Sequence, residues 1–400
     1  MKIAFSPPDI TQTEIDEVVD TLRSGWITTG PKTKAFEREI ARACSTRAAV
    51  AMNSATACME LTLRILGVGP GDEVITSAYT YSASASVIQH VGASVVLVDT
   101  SPESFHLDYE GVSAAVTRRT KAIIPVDIAG VMCDYDRLHE VISGRAHLFS
   151  PSNVLQESIG RVAIVADAAH SFGATYENQP SGSVADFTCF SFHAVKNLTT
   201  AEGGAVTWRP LRDIPCQDLY RRFMLLALHG QTKDASAKSE AGSWEYDIVA
   251  PYYKCNMTDI SASLGLAQMR RYPKMLQRRH DIIALYDRLC HDMGLSFLRH
   301  RTKYQVSSGH LYMTRLMGLD ESRRNEVIQR MARRGVATNV HYKPLPMLAA
   351  YKDMGFSIEC YPNAYSMYQN EITLPLHTLL SDNDVEYVCQ ELQSILGEVW

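Results

Sequence analysis

The chain has 400 residues, of which 46% are hydrophobic and 21% are charged, and its formal net charge is −5. This length excludes a single small core and predicts one large domain with a smaller one, or two domains of similar size. The acidic and basic residues are interspersed, which leaves no basic face for nucleic acid, and no apolar stretch is long enough to cross a membrane.

The cysteines and the N-terminal segment indicate the compartment. The nine cysteines are scattered along the chain, and none forms a CxxC pair or lies near a pair of histidines. This pattern predicts a reducing compartment and no structural zinc. The N-terminal segment "MKIAFSPPDITQTEIDEVV" lacks the apolar core of a signal peptide. We therefore expect a cytoplasmic protein without a metal site.

Strand-like and helix-like patterns alternate from about residue 45 to residue 210. The first strand, "RAAVAMN", precedes the helix "SATACMELTLRILG", which Ser54 or Thr56 can cap and Gly67 can end. The strands that follow are "DEVITS", "ASVVLVD", "KAIIPVD", "RVAIVAD", "DFTCFSF" and "GAVTW", and the helices among them are "YSASASVIQHVG", "DYEGVSAAV" and "DYDRLHEVISG". Apolar strands that alternate with amphipathic helices favour a mostly parallel sheet covered on both faces.

The pattern changes after residue 228. Residues 229–250 are polar and small, which predicts a long loop, and a long helix is predicted from Met257 to about Cys290. The segments "HLYMTRLMG", "ESRRNEVIQRMARRG", "VATNVHY" and "SDNDVEYVCQELQSIL" then predict a smaller α+β unit. We expect a large domain at residues 1–250, whose N-terminal segment can pack on the small domain, and a small domain at residues 251–400.

Asp167 closes the apolar strand "RVAIVAD", and ligands of such sheets lie beyond the carboxyl ends of the strands. A carboxylate at the end of an apolar strand is costly unless a cation lies beside it. The alternative is that Asp167 caps the turn that follows.

The segment "DFTCFSFHAVK" brings Ser191, at the end of its strand, together with His193 and Lys196, which follow that strand. A lysine in a loop is ordinarily solvated, and this segment alone leaves that alternative open. The segment "NSATA" places Thr56 at the start of a helix, where free N–H groups suit a phosphate. No GxGxxG follows the first strand and no GxxxxGK[ST] occurs, so no dinucleotide or P-loop nucleotide is indicated.

A phosphate site, a buried carboxylate and a lysine at one edge of a sheet are the groups that pyridoxal phosphate requires. Tyr81, which also follows a strand, can supply an aromatic face for the pyridine ring. Packing in the core explains Tyr81 equally well at this point.

The chain resembles the DegT/DnrJ/EryC1/StrS family of pyridoxal phosphate-dependent nucleotide-sugar aminotransferases, which have the type I, aspartate aminotransferase fold. The resemblance runs over essentially the whole chain, in the segments "SGWITTGPKTKAFE", "NSATACMEL", "SAYTYSASASVIQHVGASVVLVD", "VADAAHSFGA", "SFHAVKNLTTAEGGAV", "YKCNMTDISASLGLAQM" and "VATNVHYKPLP". It implies an α/β fold with a mostly parallel central sheet in the large domain and a smaller α+β domain at the C-terminus.

The resemblance also implies a role for each candidate residue. Lys196 would form the Schiff base with pyridoxal 5′-phosphate, and Asp167 would pair with the pyridine nitrogen. The other cofactor-binding residues that it implies are Thr56, Ala57 and Ser191 at the phosphate, Tyr81 on the ring, His170 near the ring hydroxyl group, and Asn256 from the other subunit of a homodimer. The substrate-binding residues that it implies are Trp26, Thr28 and Thr29 in the nucleotide-sugar loop, His193 near the imine, and His341 and Tyr342, for which a structural role stays open.

Lys196 distinguishes amino transfer from dehydration, because the dehydratase branch of the family carries histidine at that position. We expect a ping-pong transfer of the amino group of L-glutamate to a nucleotide-linked keto-sugar. The segment "YKCNMTDISASLGLAQM" favours C4 of a UDP-4-keto-6-deoxy-N-acetylhexosamine, used for surface polysaccharide. The alternatives are C3 of a dTDP-keto-6-deoxy sugar and, disfavoured by the presence of Lys196 and Asp167, a sugar dehydratase or a non-catalytic sensor.

Three departures from the family pattern are expected to alter substrate fit and to leave the cofactor chemistry intact. Residues 148–158, "LFSPSNVLQES", form an insertion before the strand that ends at Asp167. Cys255 stands where an aromatic residue is common, and Pro346 stands where histidine is common.

Overall fold

The computed structural model describes residues 2–233 and 244–399. The segment 229–250, predicted as a long loop, is therefore described only at its two ends, and residues 234–243 lie outside the described range. At these ends Gln231 pairs with Ile248 in an isolated antiparallel bridge, and Leu228 pairs with Lys254 in another.

The described chain alternates strands and helices in the predicted order. The strands are β1 (Ala49–Met52), β2 (Glu73–Ser77), β3 (Ser94–Val98), β4 (Thr120–Ile124), β5 (Ala163–Asp167), β6 (Thr175–Tyr176), β7 (Gln179–Pro180), β8 (Phe187–Ser191), β9 (Gly204–Trp208), β10 (Ser296–Phe297), β11 (Gln305–Val306), β12 (Tyr312–Arg315) and β13 (Glu371–Leu374). The helices are α1 (Gln12–Ser24), α2 (Pro31–Ala43), α3 (Ala55–Ile65), α4 (Ala83–His90), α5 (Tyr109–Ala115), α6 (Tyr135–Ser143), α7 (Val154–Ile159), α8 (Cys216–Ala227), α9 (Asp259–Asp292), α10 (Glu321–Arg333), α11 (Ala349–Asp353), α12 (Pro362–Tyr368) and α13 (Asp382–Val399).

The central sheet has the strand order β1-β9-β8-β5-β4-β2-β3. Strand β5 pairs in parallel with β4 and β8, and β2 pairs in parallel with β3 and β4. Strand β9 is antiparallel to both of its neighbours. Strands β2, β4, β5 and β9 are buried along their whole length, because the sheet is covered on both faces. The expected mostly parallel α/β sheet is confirmed.

Helix α3 begins at the edge of this sheet that carries the site. Ser54 caps it, because its Oγ accepts a hydrogen bond from the N–H of Ala57 at 3.1 Å. Of the two candidate caps, Ser54 is therefore the cap and Thr56 lies in the first turn. The helix ends before Gly67, whose φ of +73° is readily adopted by glycine.

Helix α9 starts at the N-cap Thr258 and contacts α1 and α2. Its C-terminal part, with Ile282 and Tyr286, packs into a second core that also contains residues of α10 and α13. Ile3 from the N-terminal segment joins this second core, and its N–H donates to the carbonyl oxygen of Gly335 at 2.8 Å. The predicted long helix is confirmed, with a short antiparallel sheet β10-β12-β13 beside it.

The insertion at 148–158 packs against the end of α3. Asn153 caps α7, and its side-chain amide donates to the carbonyl oxygen of Leu66 at 2.8 Å. Gln156 donates to the same carbonyl group at 2.8 Å. The insertion therefore satisfies an otherwise unpaired helix terminus.

Within residues 2–233 and 244–399, no cluster of three or more His, Cys, Asp or Glu side chains is arranged to hold a metal ion. All nine cysteines are free thiols. No helix in those ranges combines the length and the apolar character needed to span a membrane.

Candidate active site

A cavity of about 410 Å³ lies at the edge of the sheet where β5 and β8 end and α3 begins. It brings together these predicted residues: Thr56, Tyr81, Asp167, His170, Ser191, His193, Lys196, His341 and Tyr342. The N-terminal segment contributes Phe5 and Ser6 to the wall, and the C-terminal part of the chain contributes His310 and Asn339. We call this cavity the central pocket.

Lys196 is half-buried in the wall of the central pocket. Burial lowers the pKa of its amino group to about 8, and the nearby carboxyl group of Asp167 opposes part of this shift. Among the residues that the structure describes, no acceptor hydrogen-bonds its Nζ. Lys196 is therefore not an ordinary solvated lysine, because its amine is readily deprotonated near neutral pH.

We expect Lys196 to react with an acylating reagent at a lower pH than the surface lysines do. Only the neutral amine is nucleophilic, so labelling of Lys196 in the cofactor-free protein should rise as the pH approaches about 8 and then level off. Competitive labelling with trace acetic anhydride, followed by peptide mass spectrometry, measures this pKa. The exposed Lys352 is the internal control, and a Lys196 profile that coincides with that of Lys352 would contradict the lowered pKa.

Asp167, the last residue of β5, is buried behind the central pocket. Burial raises the pKa of its carboxyl group, although hydrogen bonds from Ser84 Oγ at 2.7 Å and from the N–H of Ala169 at 3.2 Å lower it in part. The turn that follows is not helical, so Asp167 caps no helix, although its carboxylate accepts from the N–H of Ala169 in that turn. A buried carboxyl group with a raised pKa is suited to a cationic partner in the pocket.

Strand β9 begins at Gly204, directly after Gly203, and passes close to the N-terminus of α3. A Cβ atom on Gly204 would lie 2.4 Å from the carbonyl carbon of Ser54 and 2.5 Å from the nitrogen of Ala55. A Cβ atom on Gly203 would lie 2.1 Å from Thr200 Oγ1. Glycine at 204 therefore lets β9 pass this close to the start of α3, whereas glycine at 203 makes room for the side chain of Thr200.

Replacing Gly204 with alanine is expected to destabilise the protein by about 1–3 kcal/mol, because the backbone of Ser54 and Ala55 has to move. The free energy of unfolding in denaturant measures this effect. Gly397→Ala is the matched control, since a Cβ atom there meets nothing within 4 Å and the residue lies in α13. Equal stability of Gly204→Ala and the wild type would show that the close approach imposes no constraint.

His170 is held as a neutral hydrogen-bond donor toward the central pocket. Its Nδ1 accepts from the N–H of Ala129 at 3.1 Å, so the proton is on Nε2, which lies 3.1 Å from the hydroxyl group of Tyr342. Burial lowers the pKa of His170 well below its ordinary value. Tyr81 is 63% exposed with its ring 5.9 Å from that of Tyr342, so the alternative of core packing for Tyr81 is wrong.

The sequence analysis assigned no role to Ser84 and His310, which contact Asp167 and His170. Ser84 donates to Asp167, and His310 lies with its ring 4.3 Å from that of His170. His310 Nδ1 lies 2.9 Å from the side-chain oxygen of Asn197, the residue after Lys196. No local pattern distinguishes these residues, because their partners are distant in the chain.

Some of the predicted residues do not line the central pocket: Trp26, Thr28, Thr29, Ala57 and Asn256. The side-chain amide of Asn256 donates to Thr29 Oγ1 at 2.5 Å, and the indole N–H of Trp26 donates to the carbonyl oxygen of Thr29 at 3.2 Å. The carbonyl oxygen of Thr28 accepts from the N–H of Asp259 at 3.1 Å. The N–H of Ala57 is taken up by the Ser54 cap.

The groups of the central pocket fit the three functional parts of pyridoxal phosphate. The start of α3, with Thr56 and Ser191, offers N–H and hydroxyl donors for the phosphate. Asp167 offers a buried carboxyl group for a ring nitrogen, and the unpartnered amine of Lys196 is available to an aldehyde.

Comparison with known proteins agrees with this assignment. The DegT/DnrJ/EryC1/StrS aminotransferase family matches residues 8–393. The spore coat polysaccharide biosynthesis protein SpsC of Bacillus subtilis is 36% identical over 404 residues, which cover 98% of this chain and 97% of that protein.

Solved structures of aminotransferases have the same fold as this chain. The putative sugar aminotransferase Spr1654 of Streptococcus pneumoniae, in its PLP form, is 54% identical with a TM-score of 0.97 and full coverage (100%) of both chains. The aminotransferase TlmJ of Streptoalloteichus hindustanus is 28% identical with a TM-score of 0.86, also with 100% of both chains covered. The chain therefore belongs to the DegT/DnrJ/EryC1/StrS aminotransferase family and is a pyridoxal phosphate-dependent transaminase of the type I fold.

Proposed function

We propose that this protein transfers the amino group of L-glutamate to C4 of a UDP-4-keto-6-deoxy-N-acetylhexosamine for surface polysaccharide synthesis. The observation that carries amino transfer is the lowered pKa of the Lys196 amine, in one pocket with Asp167 and the start of α3. The sugar class is supported by the relatives, one named for spore coat polysaccharide and one as a sugar aminotransferase. The choice of C4 and UDP rests on the segment "YKCNMTDISASLGLAQM".

The residues at the back of the pocket hold and polarise the cofactor. Pyridoxal phosphate, when bound, supplies an aldehyde that takes up the amino group and a ring that accepts the electron pair released at the neighbouring carbon. The N-terminus of α3 and the hydroxyl groups of Thr56 and Ser191 would hold the phosphate. Asp167 would pair with the ring nitrogen, and Ser84 holds the Asp167 carboxylate by a hydrogen bond.

Lys196 moves the proton. In its neutral form the amine takes a proton from the carbon of the amino donor and returns a proton in the second half of the reaction. A pKa of about 8 leaves roughly a tenth of the amine neutral at pH 7, far more than for an ordinary lysine, while keeping the group basic enough for the transfer. His170 would offer its Nε2–H near the ring hydroxyl group, and Tyr81 would cover the ring face.

We further propose a cytoplasmic homodimer with shared sites. Asn256, Trp26 and Thr28 do not line the pocket of their own protomer, which suits the roles that the family resemblance assigns to them at the site of a second subunit. Nine free thiols suit a reducing compartment. Mixing Lys196→Ala subunits with Asn256→Asp subunits should then restore activity that neither variant has alone. An absence of restoration in hybrids that do form would contradict shared sites.

We also propose the division into a large domain at residues 1–250 and a small domain at residues 251–400. The second core supports it, because residues of α10 and α13 and the end of α9 pack there together. Its inclusion of Ile3 supports the packing of the N-terminal segment on the small domain.

The direct test is to incubate the protein with L-glutamate and a panel of nucleotide-linked keto-sugars. Formation of 2-oxoglutarate with the UDP-4-keto-6-deoxy-N-acetylhexosamine, and an amino group at C4 of the product by NMR, is the expected result. Amination only at C3 of a dTDP-keto-6-deoxy sugar would overturn the choice of acceptor. Loss of a hydroxyl group without transfer of nitrogen would overturn the choice of reaction.

A further inference from the structure

A buried chain of hydrogen bonds leads from β13 to the wall of the central pocket. The Nδ1 atom of His341 lies 2.9 Å from Thr373 Oγ1, and Thr373 Oγ1 lies 2.5 Å from Glu371 Oε1. The other oxygen of Glu371 accepts from the backbone N–H of His341 at 2.9 Å. Glu371 and Thr373 are fully buried, and they lie on one face of β13 because they are two residues apart.

His341 is a neutral imidazole with one nitrogen left for a ligand. Its burial, with the charge of Lys196 nearby, lowers its pKa to about 3. At neutral pH the imidazole therefore carries one proton, either on Nδ1 or on Nε2. The ring of Phe5 stacks on it, with centroids 5.5 Å apart and an interplanar angle of 17°. Within residues 2–233 and 244–399, no group hydrogen-bonds Nε2, and His341 lines the central pocket.

The hydroxyl group of Thr373 links the proton on Glu371 to the proton on His341. When Glu371 is ionised, its oxygens only accept, so Thr373 donates to Glu371 and accepts from Nδ1–H of His341. Nε2 is then an acceptor. When Glu371 is protonated on Oε1, it donates to Thr373, which in turn donates to Nδ1 of His341. Nε2 then carries the proton and is a donor.

We propose that Glu371, acting through the hydroxyl group of Thr373, sets whether Nε2 of His341 donates or accepts the hydrogen bond that binds the keto-sugar. This inference rests on the proposed function, because the inference places the keto-sugar against the wall of the central pocket that contains His341. The wall is built of neutral and aromatic groups, with Asn339 and Ser6 beside His341. No arginine is among the described residues that line this pocket, so this wall offers neutral hydrogen-bonding groups for the keto and N-acetyl oxygens of the sugar and no guanidinium group for a carboxylate.

The charged and titratable groups around the relay leave Glu371 as its titrating member. Burial raises the pKa of Glu371 to about 8, against the hydrogen bonds from Thr373 and His341 and the nearby guanidinium group of Arg324 from α10. Tyr79 and Tyr342 also face Glu371, but their pKa values are raised and they stay neutral.

Other titratable groups near His341 are His170, His310 and Lys196. His170 and His310 have lowered pKa values, so they stay neutral. In the cofactor-free protein Lys196 contributes a positive charge only below its own pKa of about 8, so Glu371→Gln is needed to separate the titration of Glu371 from that of Lys196. The direction of the pH dependence at His341 follows from the raised pKa of Glu371. Below about pH 8 the carboxyl group is protonated and Nε2 of His341 donates; above it the carboxyl group is ionised and Nε2 accepts. The keto and N-acetyl oxygens of the sugar only accept, so the donor state binds the sugar more tightly.

Nitrogen NMR on holoenzyme with isotope-labelled histidine tests the relay without substrate, and His341→Gln assigns the signals. The wild type is expected to show the Nε2–H form near pH 6.5 and the Nδ1–H form near pH 9.5. Glu371→Gln is expected to keep the Nε2–H form of His341 at both pH values, because the side-chain amide of the new glutamine always donates to Thr373. Thr373→Ser should retain the pH-dependent exchange, and Thr373→Val should lose it. One unchanged form in the wild type, or exchange that persists in Glu371→Gln, would overturn the proposal.

Kinetics test the link to the sugar. The KM for the keto-sugar should rise roughly 2- to 10-fold in the wild type as the pH passes about 8, because one neutral hydrogen bond is lost. This rise should be absent from Glu371→Gln and present in Thr314→Val, which removes a buried hydroxyl group from the neighbouring strand β12. A rise confined to the KM for glutamate would overturn the sugar assignment. An inactive wild type would overturn the proposed function and leave the NMR result on the relay standing.

Discussion

Replacing Lys196 with alanine is expected to lower kcat/KM for amino transfer on the order of 10³-fold or more, because one amine serves as both nucleophile and proton carrier. Two structural features of Lys196 support such a large effect. Its pKa is lowered to about 8 by burial, and its Nζ has no hydrogen-bond acceptor in the described part of the chain. Steady-state rates with glutamate and the keto-sugar measure the loss, and the visible absorption of the holoenzyme reports whether the lysine-linked cofactor still forms.

Two controls separate chemistry from folding in the Lys196 experiment. Lys352→Ala removes an exposed lysine and should leave the rate unchanged. Small primary amines added to Lys196→Ala should restore part of the rate, because the space left by the side chain opens onto the central pocket. A rate within tenfold of the wild type, with unchanged absorption, would show that Lys196 is not the reactive amine.

Replacing Asp167 with asparagine is expected to lower kcat on the order of 10²–10³-fold, because a neutral amide cannot stabilise a positive charge on the ring nitrogen. The fold should tolerate the change. The amide oxygen of asparagine can still accept from Ser84 or from the N–H of Ala169, which hold the carboxylate in the native protein. Single-turnover rates with glutamate measure the loss in the first half of the reaction.

Asp127→Asn is the matched control for Asp167→Asn. Asp127 is also buried with a raised pKa, of about 6, but it hydrogen-bonds Cys133, Tyr135 and Ser171 and does not line the central pocket. Its loss should reduce the free energy of unfolding by about 1–3 kcal/mol and change kcat much less. Equal losses of kcat in both variants, at equal stability, would contradict a specific role for Asp167.

Much of the fold was predictable because its signals are local. Runs of apolar residues such as "RVAIVAD" identify buried strands, and caps such as Ser54 identify the starts of helices. Strand β9 was placed correctly, but its antiparallel direction was not predicted. Direction depends on how the chain returns to the sheet, and a five-residue apolar run carries no information about that.

The site was predictable in part for the same reason. Lys196 and Asp167 stand at the ends of recognisable strands, and the family resemblance assigns them their chemistry. The contacts of Ser84 with Asp167, of His310 with His170 and of Thr373 with His341 were not predictable. Ser84, His310 and Thr373 come from α4 and from the last third of the chain, and no periodicity connects them with β5 or β8.

The sequence by itself determined the order of the elements, the buried strands and the reactive groups at one edge of the sheet, because side-chain periodicity and capping act within a few residues. Only the tertiary structure decided the protonation states. The pKa of Lys196, the proton on His170 and the relay at His341 depend on burial and on hydrogen-bond partners far apart in sequence; Tyr342 and His170, for example, are 172 residues apart. Desolvation and hydrogen bonding act through space, so these properties arise only when the chain is folded.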